Sequence, residues 1–204
     1  MEIKKILELS ALILGIVNGL ILLRNYLRDK PKLTVYPIHP EVYQWWFKLP
    51  DGEYNGVPTR KYGFLSYIQV SNRGLRKVSI DSWKLYLRTV GNKQFELKPI
   101  SIPEPKIDLG KSGNIKVLPV MGQRGLLFND VTMIESGASI SGMIYYFAEF
   151  YGDEVWNPII KKGEITGKLE IKDVFNKKVY CKIVFSEKPL EEVKSMIEGI
   201  EKIA

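Results

Sequence analysis

Among 204 residues there is one cysteine and one histidine. Cys181 has no partner in its own chain, so no internal disulfide forms. A domain of about 150 residues needs none, because it buries roughly two-thirds of the surface its unfolded chain exposes. His39 lies between prolines in PIHP and reads as structural or exposed. A lone histidine excludes a multi-histidine metal site. No Walker loop, dinucleotide fingerprint or Asn-x-Ser/Thr acceptor is present, and neither is an internal repeat or low-complexity tract. These absences remove the usual sequence marks of nucleotide, cofactor and metal chemistry, so no cofactor is expected.

Charge of one sign is concentrated. The chain carries a formal +7, and residues 1–32 hold Lys4, Lys5, Arg24, Arg28, Lys30 and Lys32 against Glu2, Glu8 and Asp29, which is +3. The other 172 residues carry the remaining +4. Positive charge beside an apolar run suits anionic lipid headgroups. A nucleic-acid surface wants a basic stripe with stacking aromatics, whereas here Lys and Glu alternate through most of the body. No nucleic-acid partner is expected.

The apolar run is ALILGIVNGLILL, residues 11 to 23. From Ile6 to Leu23 the only charge is Glu8. Eighteen helical residues span about 27 Å, close to the roughly 30 Å of a bilayer's hydrocarbon core. A cleaved signal peptide lacks its small-x-small exit, because RNYLRDKP follows Leu23. A helix buried in the core of a soluble protein is the other alternative. Glu8, Ser10 and Asn18 favour it, yet they mark out no clean polar face. The reading adopted is an uncleaved single-pass anchor, with membrane lipid as its partner and Arg24, Arg28, Lys30 and Lys32 at the headgroups. The positive-inside rule places the following domain in the cytoplasm by a small margin, and an extracytoplasmic domain stays open. Ala11, Gly15 and Gly19 recur every four residues on one face, with Asn18 beside it. Small residues let helices approach closely in lipid, so this face is a candidate for homo-oligomer or other helix–helix packing.

Pro31 ends the helix and the periodicity then becomes that of strands. KLTVYPI, EVYQWWF, YGFLSYIQVSN, VSIDSWKLYLRTV, FELKPISI, NIKVLPV and ASISGMIYYFAEF read as strands. Residues 49–61 and 101–114 read as turn and loop. GEITGKLEIKDVFNKKVYCKIVFS reads as a hairpin with Val179, Cys181, Ile183 and Phe185 on one face. Seven to nine short strands predict a mainly β fold, an antiparallel immunoglobulin-like β-sandwich. In the tail, Leu190, Val193, Ile197 and Ile200 form one stripe of a C-terminal amphipathic helix. The divisions expected are therefore 1–30, 31–187 and 188–204.

Two aromatic clusters are candidate ligand or partner surfaces. In YQWWF, Trp45 and Trp46 are neighbours, so one side chain should leave the core. Tyr145 and Tyr146 in IYYFAEFY repeat the pattern. Exposed rings near a membrane suit headgroups, a sugar or a protein. Glu149, Asp153 and Glu154 cluster in EFYGDEVW, but a polar loop after a strand looks the same.

LRDKPKLTVYP, IQVSNRGLRKVSI, ESGASISGMIYYF and LEIKDVFNKKVY resemble segments of prokaryotic single-pass membrane-anchored proteins of unknown function. Those proteins carry an immunoglobulin-like sandwich behind the anchor. VSNRG resembles a strand-end turn in which Asn and Gly take positive φ. ESGASISG resembles a small-residue approach to a late strand. The resemblance implies a fold and a membrane address and carries over no activity. The function expected is a membrane-anchored, non-catalytic interaction or assembly module whose protein partner is not specified. One alternative is an anchored ligand-binding domain, for example for an oligosaccharide. The other is a soluble sandwich with the N-terminal helix in its core.

Overall fold

Apolar residues with no proline before Pro31 allow one long helix, α1 (Glu2–Asp29). The computed structural model of the chain describes residues 2–39, 42–108, 115–121 and 133–202. Within α1, Ile3–Leu27 is a 25-residue stretch of mean hydropathy 2.3, none of it buried. At 1.5 Å per residue it is about 37 Å long, enough to cross the hydrocarbon of a bilayer. The alternative of a core helix is overturned, because α1 projects from the domain with its apolar side chains exposed.

Thirteen strands follow among the described residues. They are β1 (Leu33–Pro37), β2 (Gln44–Tyr54), β3 (Val57–Asn72), β4 (Val78–Arg88), β5 (Gln94–Leu97), β6 (Pro99–Ile100) and β7 (Lys106–Asp108). Next come β8 (Ile115–Val117), β9 (Met133–Ile134), β10 (Ser139–Tyr151), β11 (Ile160–Lys161), β12 (Glu164–Asp173) and β13 (Lys178–Glu187). This exceeds the expected seven to nine, because short pieces that the pattern cannot show also pair. Lys106–Asp108, expected as loop, forms a hairpin with Ile115–Val117, while residues 109–114 lie outside the described residues.

Eleven strands share one sheet of order β5-β4-β12-β13-β2-β3-β10-β6, with β1 on β3, β11 on β12 and β9 on β4. The sheet is antiparallel except where β13 meets β2, in parallel, at Ser186–Trp45 and Glu187–Trp46. β5 and β6 occupy opposite ends of this order, yet only Lys98 separates them in the chain. The segment Gln94–Ile100 therefore draws the two ends of the sheet together, and the sheet wraps around its core.

That core follows the period of two. Phe64, Ile68 and Val70 of β3 and Ile144 and Tyr146 of β10 face Leu85, Leu169 and Phe185 of β4, β12 and β13. One break in phase occurs in β4, where a bulge opposite Lys172/Asp173 lets Ile80 and Trp83 both face inward. The outer face of the β4–β12–β13 half is wet, with ion pairs Lys84–Glu96 at 2.8 Å and Lys172–Asp81 at 2.9 Å. The outer face of β2, β3 and β10 is dry. Phe47, Leu65, Met143 and Tyr145 form a second core there, closed by Val193, Ile197 and Ile200 of the tail.

The tail helix is shorter than its pattern. α2 (Leu190–Met196) starts after Pro189 and ends where Ile197 turns extended (φ −129°, ψ 97°), two residues before Gly199 with its φ of +74°. A short 3₁₀ turn, Ile200–Lys202, returns Ile200 to the same face. The expected turn over 49–61 also contracts. β2 runs on through a bulge at Leu49–Gly52, and only Asn55 (φ 52°) and Gly56 (φ 79°) reverse the chain.

In β3, Gly63 lies under the ring of Phe47, where a Cβ would clash with the ring atoms. Gly63→Ala should lower stability by about 1–3 kcal/mol through overpacking. Adding Phe47→Leu should recover part of that loss, as measured by chemical denaturation of both variants.

Candidate functional site

Three regions bear on function: the helix, its junction with the domain, and the far rim of the domain. On α1, Ala11, Gly15, Asn18 and Gly19 are exposed. A Cβ on Gly15 or Gly19 would meet nothing within 4 Å, so their lack of a side chain serves no contact inside the chain. The Ser10 hydroxyl donates to the Leu7 carbonyl at 2.9 Å, which satisfies one of the polar groups that weigh against a span. Arg24 and Lys30 are exposed, and the Lys30 ammonium lies 4.8 Å from the ring centroid of Tyr26. The side chain of Arg28 lies outside the described residues.

At the junction the chain is clamped. Asn72, the last residue of β3, is buried and opposite Leu33 of β1. Its Oδ1 accepts from the Lys32 amide at 3.3 Å and the Gly74 amide at 3.0 Å. Its Nδ2 donates to the carbonyls of Arg76 at 2.6 Å and Ile134 at 3.2 Å. Both lone-pair directions and both protons of the amide are used, the full capacity of that side chain. The Arg73 amide donates to the Lys32 carbonyl at 2.9 Å, and Lys177 Nζ reaches the Pro31 carbonyl at 3.4 Å. A Cβ on Gly74 would collide with the backbone of Lys30–Lys32. VSNRG is thus corrected: neither Asn72 nor Gly74 has positive φ. Asparagine is there to tie four backbone groups together, and glycine is there because the linker passes against it. Lys32 is fixed through its backbone while its side chain stays exposed.

The expected aromatic surfaces are also corrected. Trp45 is 8% exposed, Trp46 4%, and Tyr145 and Tyr146 0%. Alternation holds, since Trp46 and Tyr146 enter the first core and Trp45 and Tyr145 the second. It does not expose either set, because α2 and the segments around Ile102 and Leu118 cover the outer face. Trp46 Nε1 donates to the Gly163 carbonyl at 2.8 Å and helps seal the parallel seam. Burial pushes both tyrosine hydroxyls well above the ordinary phenol range.

Exposed rings lie instead at the far rim. Tyr54, Tyr151 and Trp156 are exposed at the β2–β3 tip and after β10. Tyr54 and Tyr151 meet edge-to-face at 5.7 Å over a shallow cleft with Asn55 and Val57. The Lys93 ammonium lies 4.2 Å from the Trp156 ring centroid. Sequence reasoning missed this rim, although NG after Tyr54 marks a hairpin tip whose side chains have nothing to pack on. Glu149 of the carboxylate cluster accepts from the Tyr151 hydroxyl at 2.9 Å and faces Lys61 at 3.8 Å. Among the described residues, no group of three His, Cys, Asp or Glu could hold a metal. Cys181 is half-buried against the first core, and that burial raises its thiol pKa, which disfavours the reactive thiolate.

No protein-family model and no curated protein matches the chain. Solved structures do match, at low similarity. A structural-genomics target is 7% identical over 78% of this chain and 89% of its own, with a TM-score of 0.31. A putative ApaA protein from Bordetella pertussis is 11% identical over 78% and 96%, with a TM-score of 0.31. A FixG-related protein from Vibrio parahaemolyticus is 9% identical over 78% and 98%, with a TM-score of 0.29. At such scores none carries an argument about this chain.

Asn72→Ala should unsatisfy several buried backbone groups at about 1–3 kcal/mol each. The amides of Lys32, Arg73 and Gly74 should then exchange hydrogen much faster, as read by mass spectrometry of the full chain.

Proposed function

We propose that the chain is a single-pass membrane protein whose β domain, an immunoglobulin-like sandwich, works as a non-catalytic interaction or assembly module at the bilayer surface. The observation that carries this reading is α1, a 25-residue apolar stretch with no buried part, joined to the domain through a linker pinned by Asn72. A helix exposed all round is stable where its surroundings are apolar. The basic flank of Arg24, Arg28, Lys30 and Lys32 favours a cytoplasmic domain. The sandwich reading is supported by two strand sets facing across one core, with Gln94–Ile100 passing from one set to the other.

The face of Ala11, Gly15 and Gly19 is the proposed helix–helix contact, with Asn18 able to hydrogen-bond at its edge. The partner-binding surface of the domain is the far rim, where Tyr54, Tyr151 and Trp156 offer rigid amphipathic rings. An anchored ligand-binding domain is the second reading, favoured by the Tyr54–Tyr151 cleft. It differs from the first in expecting a small ligand, such as an oligosaccharide, to quench or shift Trp156 fluorescence.

A Cβ at Gly15, on the exposed face of α1, meets no neighbour inside the chain, so Gly15→Leu is a test of contacts outside it. It should abolish self-association in lipid, measured by energy transfer between labelled chains, while carbonate leaves the protein in the membrane fraction. Unchanged energy transfer would reduce Gly15 and Gly19 to ordinary membrane glycines, and release by carbonate would remove the anchor reading itself.

A further inference from the structure

The junction end of the domain carries apolar side chains that the core does not use. Leu75, in the turn from β3 to β4, is 50% exposed. Val174 and Phe175, at the tip between β12 and β13, are 51% and 60% exposed. The two tips adjoin the linker and each other. Val174 donates its amide to the Ser79 carbonyl at 3.1 Å, Lys177 reaches Pro31, and Arg73 pairs with Lys32. The second tip is held in shape. The buried Asp173 carboxylate accepts from the amides of Phe175 at 2.9 Å and Lys177 at 2.8 Å, and Asn176 takes a φ of 63°. A turn so built presents Val174 and Phe175 outward as a fixed pair.

Around these three side chains stand Lys30, Lys32, Arg73, Arg76, Lys77 and Lys177, all exposed. Among the described residues, the acids at this end are Asp29, Glu135, Asp173, which is buried in its own turn, and Asp81, which is paired with Lys172 at 2.9 Å. Three residues, Lys30–Lys32, separate α1 from β1. The extended reach of three residues is about 10 Å, so a membrane holding α1 lies within contact of these tips.

We infer that the junction end is a lipid-docking surface. Leu75, Val174 and Phe175 enter the interfacial layer of the bilayer that α1 spans, and Arg73, Arg76, Lys77 and Lys177 bind the phosphates of anionic lipids. This rests on the anchor reading above and adds a second, independent contact with the membrane. Burial of the apolar tips and attraction of juxtamembrane basic residues to anionic headgroups act together. The domain is then held at one tilt instead of swinging on its linker.

The test uses the full chain in Cys181→Ser background, reconstituted in phosphatidylcholine with or without phosphatidylglycerol. Spin labels are placed by Val174→Cys, by Leu75→Cys as a second site in case the first disturbs the turn, by Tyr54→Cys at the far rim and by Ile13→Cys within α1. Collisions with oxygen report lipid, and collisions with a water-soluble nickel chelate report water. With phosphatidylglycerol, the labels at 174 and 75 should collide severalfold less with nickel than the label at 54. Arg73→Glu with Arg76→Glu and Lys77→Glu should return them to the level of 54 while the label at 13 stays in lipid. Labels at 174 and 75 as wet as that at 54, with 13 in lipid, overturn docking and leave the anchor standing. A wet label at 13 overturns both. Equal shielding in the two lipid mixtures overturns the assignment to anionic headgroups.

Discussion

The strands β2, β3 and β10 are apolar on both faces, and each face needs its own cover. The inner face is met by β4, β12 and β13 across the first core, which requires the sheet to fold back on itself and Gln94–Ile100 to join its ends. The outer face is met by the C-terminal α2 and by the segments that carry Ile102 and Leu118. The tail is thereby committed to the domain. Its stripe of Leu190, Val193, Ile197 and Ile200 packs against the outer face of the sheet. The polar half of the sheet, with its Lys–Glu and Lys–Asp pairs, is left to water.

Much of this was legible from residue patterns, for reasons that show where the rest was not. The strand KLEIKD, its FNKK turn and the returning VYCKIVF follow from alternation and turn chemistry, since local rules act within ten residues. Pro31 and the apolar run defined α1. The bulges at Leu49–Gly52 and in β4 left only a phase slip as a trace, and a phase slip in a short strand looks like noise. Trp45 and Trp46 show the central difficulty. Alternation assigned them correctly to opposite faces, but the exposure of one face depends on α2, about 150 residues away in the sequence. The unbroken apolar run WWF carried the hint, because a strand buried on both sides loses its polar alternation.

The junction was hidden for a different reason. Asn72 and Gly74 sit in a segment whose composition says turn, and both residues are common in turns. Asn72 holds the linker forty residues earlier by one hydrogen bond while three more fix the turn and Ile134, and Gly74 lets the linker backbone pass close by. Sequence shows residue types, while satisfaction of a buried amide is a property of the assembled fold.

β1 gives this junction a mechanical character. It runs from the linker along β3, paired from Leu33–Asn72 to Pro37–Ile68. Its ladder bonds lie across the direction of the strands. A pull transmitted along β1 from α1 therefore loads the whole ladder in shear, and no single bond at its end takes the strain alone. The domain is harnessed to α1 in a geometry that resists tension along the chain.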